Sequence, residues 1–196
     1  TYAAYISPVQ VAGTYTGQVK YTLVHPQSAA APTTPLKDTD CPKNNICYAP
    51  NASDIVGSMS SLGTISASAT AGKTSASSNS TAELIAPNYS RTGYGFAGWS
   101  TDFEADSNST IYGPNETIST NPSDTDGVDI STQGLILYPV WVESTGTIQD
   151  WTSCDSLTQA PTDTRATLSS MTALTDQRDN NTYTVARLAD GNCWMT

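Results

Sequence analysis

Histidine and basic residues are what this chain has least of. His25 is alone among 196 residues, and eight Lys and Arg stand against 18 Asp and Glu, for a net charge of −10. A duplex or an anionic membrane repels such a chain, and no basic patch is present to offset the repulsion, so nucleic-acid binding is excluded. No run of about 18 apolar residues occurs, so no helix of this segment inserts in a membrane. No signal peptide is visible, and Thr1 lies within a strand-like pattern, which reads as a fragment or a mature segment. Only 13% of residues are charged and 37% are apolar. Ser, Thr and Asn take their place. That composition suits strands and turns and disfavours long helices, so small β-modules are expected rather than one large core.

Catalytic groupings are also missing. His25 precedes Pro26 and has no nucleophile spaced to serve it. The Asp and Glu residues sit in polar stretches, where nothing would desolvate them for acid work. No glycine-rich phosphate loop leads into a helix. A non-enzymatic protein is expected.

The four cysteines, Cys41, Cys47, Cys154 and Cys193, form no Cys-x-x-Cys pair, and one histidine is too few to complete a zinc site. Three disulfide connectivities are possible. Cys41 and Cys47 bracket the turn-forming Pro-Lys-Asn-Asn-Ile, which favours Cys41–Cys47, and Cys154–Cys193 follows by elimination. Disulfides place the chain in an oxidising, extracytoplasmic setting.

What the chain does have is a concentration of rings. Gly93-Tyr-Gly-Phe-Ala-Gly-Trp99 puts three aromatics and three glycines in seven residues of a chain that is 8% aromatic. Tyr94 and Phe96 alternate, while Trp99 falls out of step. A hydrophobic strand leaving a tight turn is the plain reading, and a ligand-stacking platform is the functional one. Leu135–Val142 is the second apolar run, and Pro139 within it marks an edge position or a bulge.

Other stretches are less pointed. Residues 1–27 alternate as the last strands of an upstream β-sandwich, with Val19, Tyr21 and Leu23 on one face and Lys20 on the other. Lys20 reads as solvent-facing rather than as an isopeptide cross-linker. Residues 28–40 and 144–152 read as linkers, the first stiffened by prolines. Residues 54–59 read as a strand end or as one helical turn that Asp54 would cap. The Ser/Ala/Thr-rich 64–81 reads as an exposed loop or edge hairpin.

Two acidic loops invite a metal reading. Asp102, Glu104, Asp106 and Asn108 alternate like calcium ligands but lack the turn glycine. Asp124, Asp126 and Asp129 enclose Gly127, which supplies a turn, so a Ca²⁺ loop stands beside a simple glycine turn between strands. No other cofactor is expected. Asn-x-Ser/Thr sequons occur at Asn51, Asn79, Asn88, Asn108, Asn115 and Asn180. They are glycan acceptors in a eukaryotic secreted protein and chance matches in a chain this rich in Asn, Ser and Thr.

Family likenesses attach to three stretches. Ala12–Leu23 resembles the last strand of β-sandwiches in Gram-positive surface proteins such as WxL-type domains. Ile46-Cys-Tyr-Ala-Pro-Asn-Ala, Gly93–Trp99 with the following Ser-Thr-Asp, Tyr112-Gly-Pro-Asn-Glu-Thr-Ile and Leu137-Tyr-Pro-Val-Trp resemble the Listeria–Bacteroides repeat, also called the internalin B-repeat. That likeness covers residues 41–143 and implies a small β-grasp-like module whose core signature is Gly93, Tyr94, Phe96, Gly98, Trp99, Tyr138 and Trp141. This chain departs from the pattern by lacking the Gly-Gly after the first strand, by Ser/Thr-rich insertions at 60–81 and 101–129, and by Pro139. Leu174–Met195, with Asp176-Gln-Arg-Asp-Asn-Asn-Thr-Tyr, resembles the opening of the Fibrobacter succinogenes major paralogous domain, and 153–196 would be its truncated start. Both likenesses imply an extracellular, cell-surface protein. The expected fold is mainly β: a β-grasp-like module between a sandwich hairpin and a disulfide-closed C-terminal hairpin. The expected role is a stalk or adhesin segment whose partner is another surface protein, a cell or a glycan. A filament subunit built by strand exchange between copies is the alternative. A hydrolase or carbohydrate-binding module would require Trp99, Trp141 or Trp151 exposed in a row rather than buried.

Overall fold

A computed structural model describes residues 34–65, 67–162 and 165–195. Residues 1–27, expected to be a sandwich hairpin, lie outside the described residues, and Lys20 and His25 with them. The described residues are mainly β, with three short 3₁₀ turns and no α-helix among them. The strands are β1 Asn45–Tyr48, β2 Val56–Gly57, β3 Thr64–Ile65, β4 Ser68–Ser75, β5 Thr81–Glu83, β6 Tyr89–Ser90, β7 Tyr94–Ser100, β8 Thr117–Ser119, β9 Leu135–Thr147, β10 Met171–Thr175, β11 Thr182–Arg187 and β12 Cys193–Met195.

Eight of them form one sheet in the order β12-β11-β10-β9-β1-β4-β3, with β7 paired to β9. β1 and β9 run parallel, and each has an antiparallel neighbour, β4 and β7 respectively. This is a β-grasp-like core. β2–β6 and β5–β8 make two small ribbons beside it.

The thirteen-residue β9 ties the molecule together. It pairs with β1 over Leu135–Leu137, with β7 over Tyr138–Glu143 and with β10 from Ser144 to Thr147. Residues 144–147 are therefore strand, and the expected linker at 144–152 is corrected. The physical reason is that Ser144 and Thr145 bond Thr175 and Thr172 through their hydroxyls (2.9 Å each), so a polar segment still has a ladder to join. β9 is apolar at successive positions because both its faces are covered. Leu135, Leu137 and Trp141 enter one core with Ile46, Tyr48 and Trp99. Tyr138 packs on the other face with Cys47 and Ala71, and Val140 and Val142 pack there with Ala97, Met171 and Ala186. Pro139 sits inside this central strand, but its flank is open. Its carbonyl accepts the Asn51 side-chain amide at 3.0 Å instead of a ladder donor. The N of an extended residue points the same way as its C=O, so the missing N–H costs β7 nothing.

The Ser/Thr-rich stretch is an edge hairpin rather than an exposed loop, with β3 and β4 closing one end of the sheet. Residues 68–75 form β4, which is hydrogen-bonded to β1 and β3, and Thr70, Ala71 and Gly72 are buried. Small side chains pack there because Gly72 lies against the Met59 backbone, too close for any Cβ. The end of the expected first linker is docked too: Leu36 packs against Tyr138's cluster, and its N–H donates to the Tyr138 hydroxyl at 2.8 Å. Asp54 caps nothing and instead pairs with Arg91 at 2.9 Å.

A bulge in β7 accounts for the out-of-step tryptophan. The pairing to β9 shifts between Phe96 and Gly98, which returns Trp99 to the face that holds Phe96. Gly98 adopts φ +144, and a Cβ there would lie 2.5 Å from the Tyr112 carbonyl oxygen. Gly93, with φ +80, has open space around it. Gly98→Ala is therefore expected to cost about 3 kcal/mol, from strain plus backbone displacement. Gly93→Ala should cost only about 1 kcal/mol, from strain alone. Urea midpoints of the two variants check this, and equal losses would contradict the bulge geometry.

Candidate functional site

The structure opens a cleft of about 470 Å³ where the β7 strand meets the β10–β11 turn. Its floor is aromatic. Phe96 and Trp141 face each other across the β7–β9 ladder, edge to face with centroids 5.9 Å apart. Tyr94 forms one wall. The Arg91 guanidinium lies 3.8 Å above its ring, and Arg91 Nε is also bound to Asp54 at 3.0 Å. The cation is thus neutralised and stacked at once.

The opposite wall is Asn180, Asn181, Thr182 and Tyr183. Asp176 braces the turn that presents them. Although 3% exposed, its carboxylate accepts from Gln149 Nε2 (2.6 Å), from the Arg178 N–H (2.9 Å) and from the Arg178 guanidinium at Nε (2.9 Å) and Nη2 (2.5 Å). Its backbone closes the turn as well, donating to the Asn181 carbonyl and accepting from the Asn180 N–H, both at 2.8 Å. Gln149 in turn accepts the Gln177 N–H at 3.1 Å. Asp179 accepts the Asn181 N–H (2.8 Å) and the Tyr183 hydroxyl (2.7 Å), which fixes the Tyr183 ring. Asn180 takes the left-handed φ of 58° that asparagine tolerates. The cleft wall is a preorganised turn.

The Arg178 side chain, helped by its backbone N–H and by Gln149, holds the Asp176 carboxyl well below the usual carboxylate range. A carboxyl depressed in the folded state stabilises the fold above its unfolded value near pH 4, and that stability is lost as pH falls through the folded value. Asp176→Asn should therefore flatten the acid limb of the stability curve below about pH 4. Urea unfolding at a series of acid pH values measures it, and an acid limb identical to the parent's would contradict the brace.

Close packing holds the two walls together. A Cβ on Gly95 would lie 2.6 Å from Thr184 Oγ1 and 3.0 Å from the Ala173 Cβ. The Thr184 hydroxyl donates to the Phe96 carbonyl at 2.7 Å. The glycine of the aromatic signature thus sets how near the C-terminal hairpin comes.

The other expected residues fall as follows. Cys41 is bonded to Cys47 and Cys154 to Cys193, leaving no free cysteine among the described residues. Tyr138 is buried on the far face of β9 and stacks edge-on against Phe103. Trp99 is fully buried, so it joins no exposed row with Trp141 and Trp151.

The acidic loops use their carboxylates locally. Asp124 accepts from Ser119 and Asn121, Asp126 lies 3.7 Å from Arg165, and the Ser131 hydroxyl and amide hold Asp129 below the ordinary range. No group of three His, Cys, Asp or Glu is placed to hold a metal among the described residues, so Asp124, Asp126 and Asp129 are not brought together as a ligand set. Asp102 and Asp106 likewise brace their own loop, each accepting from the Ser109 hydroxyl.

Among the sequons, Asn51 is corrected: its Nδ2 donates to the Phe103 and Pro139 carbonyls, at 2.8 and 3.0 Å, and a glycan there would replace one of those two donor hydrogens. Asn79, Asn88, Asn108, Asn115 and Asn180 are exposed. Asn79, Asn115 and Asn180 have positive φ, so they are in the chain as turn formers.

Sequence reasoning missed Arg91, Asn181, Tyr183 and Gln149. The only signal was the Asp-x-Arg-Asp-Asn-Asn run, which reads as a turn but does not say what the turn faces.

The chain matches no protein-family model, no curated protein and no solved structure. The cleft's chemistry must be read from its own side chains. It offers aromatic faces and amide or hydroxyl groups on a rigid frame, which suits binding.

Proposed function

We propose that this chain is a non-enzymatic segment of an extracellular bacterial surface protein, serving as a stalk or adhesin unit. One observation carries the reading: two disulfides lock a sheet in which a single strand, β9, serves both halves and leaves no hinge between them. Such a unit transmits position and load and survives outside the cell, where oxidation is maintained and chaperones are absent. The acidic surface, with its Ser, Thr and Asn, keeps it dispersed. The likeness of Gly93–Trp99 and Leu137–Trp141 to the internalin B-repeat agrees with this role.

Intact cells of the source organism provide the test. Added protease should digest the protein without lysis, and thiol trapping before lysis should find no free cysteine. A protease-protected protein with four free thiols would overturn the reading.

A filament subunit is the second reading, favoured by β12. This strand ends the sheet order, and Trp194 and Met195 on it are 50% and 60% exposed. A strand from a second copy would cover them. Concentration-dependent mass by light scattering, abolished by Trp194→Asp, is its expected signature. A monomer at all concentrations would sink it.

A further inference from the structure

We propose that the cleft between Tyr94 and the Asn180–Tyr183 turn is a binding site for a neutral carbohydrate of mono- to disaccharide size. The volume, about 470 Å³, falls in the range of small-ligand sites. Five aromatic residues line it: Tyr89, Tyr94, Phe96, Trp141 and Tyr183. Arg91 takes one face of Tyr94, and the remaining ring surface is what the C–H face of a pyranose stacks against. Asn180 and Asn181 are exposed at the rim and carry amides, which supply both donors and acceptors to hydroxyl groups.

Charge decides against an ionic ligand. Arg91 is the cleft's cation, and it is already paired with Asp54 and stacked on Tyr94. The nearest carboxylate on the turn, Asp179, is spent on the Asn181 N–H and the Tyr183 hydroxyl. No free charge remains for a phosphate, a sulfate or an ammonium group. Main-chain recognition of a peptide is disfavoured along β11, which pairs with β10 on one side and β12 on the other and so offers no edge to extend.

Trp141 lines both the cleft and an adjoining cavity of about 280 Å³, and its buried Nε1 has no hydrogen-bond partner, a donor that a hydroxyl entering beside it would satisfy. The frame is already set by Asp176 and Asp179, so little ordering is needed on binding.

The test uses the full chain in its oxidised form. An array of neutral glucose-, galactose-, mannose- and N-acetylglucosamine-based oligosaccharides is screened by saturation-transfer NMR, and hits are titrated by calorimetry. At least one neutral saccharide should bind, with saturation transfer strongest on its ring C–H protons. Tyr94→Ala and Asn181→Ala should each weaken it by about tenfold, the loss of one good contact. Asn108→Ala, outside the cleft, should leave it unchanged. Unfolding midpoints of all three variants show that the fold is kept. No neutral saccharide bound at millimolar concentration overturns the proposal. So does binding that both cleft variants leave intact, or capture of sulfated or sialylated glycans or of a proline-rich peptide in place of neutral sugars. Saccharide binding by a protein found inside the cell would leave the cleft assignment standing and overturn only the surface role.

Discussion

Trp99→Ala is expected to lower the unfolding free energy by about 4 kcal/mol, a large part of what a domain of this size holds in reserve. Trp99 is fully buried and stands at the centre of the main core. Its ring meets Tyr48 at 4.8 Å, Phe96 at 5.1 Å and Tyr89 at 6.3 Å between centroids, all edge to face. Its Nε1 donates to the Ile85 carbonyl at 2.9 Å, which the alanine variant leaves without that partner. Trp141→Ala, at a half-buried ring, should cost about half as much, because less surface returns to water. Equilibrium urea unfolding of the two variants makes the comparison. Equal losses would mean that the aromatic signature is not organised around Trp99. The same core pushes the Tyr48 phenol up to about 12 by burial, a shift that the wetter core of Trp99→Ala should reduce.

Removing the Cys154–Cys193 bridge by the double Cys→Ser change should cost about 4 kcal/mol, against about 2 kcal/mol for Cys41–Cys47, because loop-closure entropy grows with the length of chain enclosed. The separations are 39 and 6 residues. The long bridge ties the loop after β9 to β12, next to the pair Arg187–Cys193. Arg187 helps to shape that loop by donating to the Leu157 carbonyl at 3.2 Å. Access should set the order of reduction. Cys193 is exposed, whereas Cys41 and Cys47 are 1% and 0% exposed, so dithiothreitol should open the C-terminal bridge first. Timed alkylation with peptide mapping reads that order, and simultaneous reduction would show that global unfolding precedes both. The longer bridge matters most to the cleft, since it holds the hairpin carrying Tyr183 and the rest of that wall.

Local chemistry made much of the fold legible. Strands at Ile46–Tyr48, Tyr94–Trp99 and Leu135–Val142 follow from β-branched and aromatic runs bounded by turn residues. The disulfide pairs followed from the short Pro-Lys-Asn-Asn-Ile loop. Residues 68–75 were legible only as a loop or an edge hairpin, because Ser, Ala, Thr and Gly carry no periodic apolar signal. They become a strand only because β1 and β3 supply hydrogen-bonding partners on both sides. Ser144–Thr147 was missed for the same reason.

Composition by itself determined that the protein is mainly β, acidic and disulfide-locked, and that rings at Phe96, Trp99, Tyr138 and Trp141 build its interior. Those properties depend on residue type and short spacing, which a linear chain displays in full. Tertiary structure alone decided that β9 serves both halves, that a bulge at Gly98 turns Trp99 inward, and that Tyr94 and Asn181 face one another across a cleft. The residues forming that cleft lie almost ninety positions apart in sequence, between Arg91 and Asn180. Only the approach of Gly95 to Ala173 and Thr184, set by the absence of a side chain, brings them together.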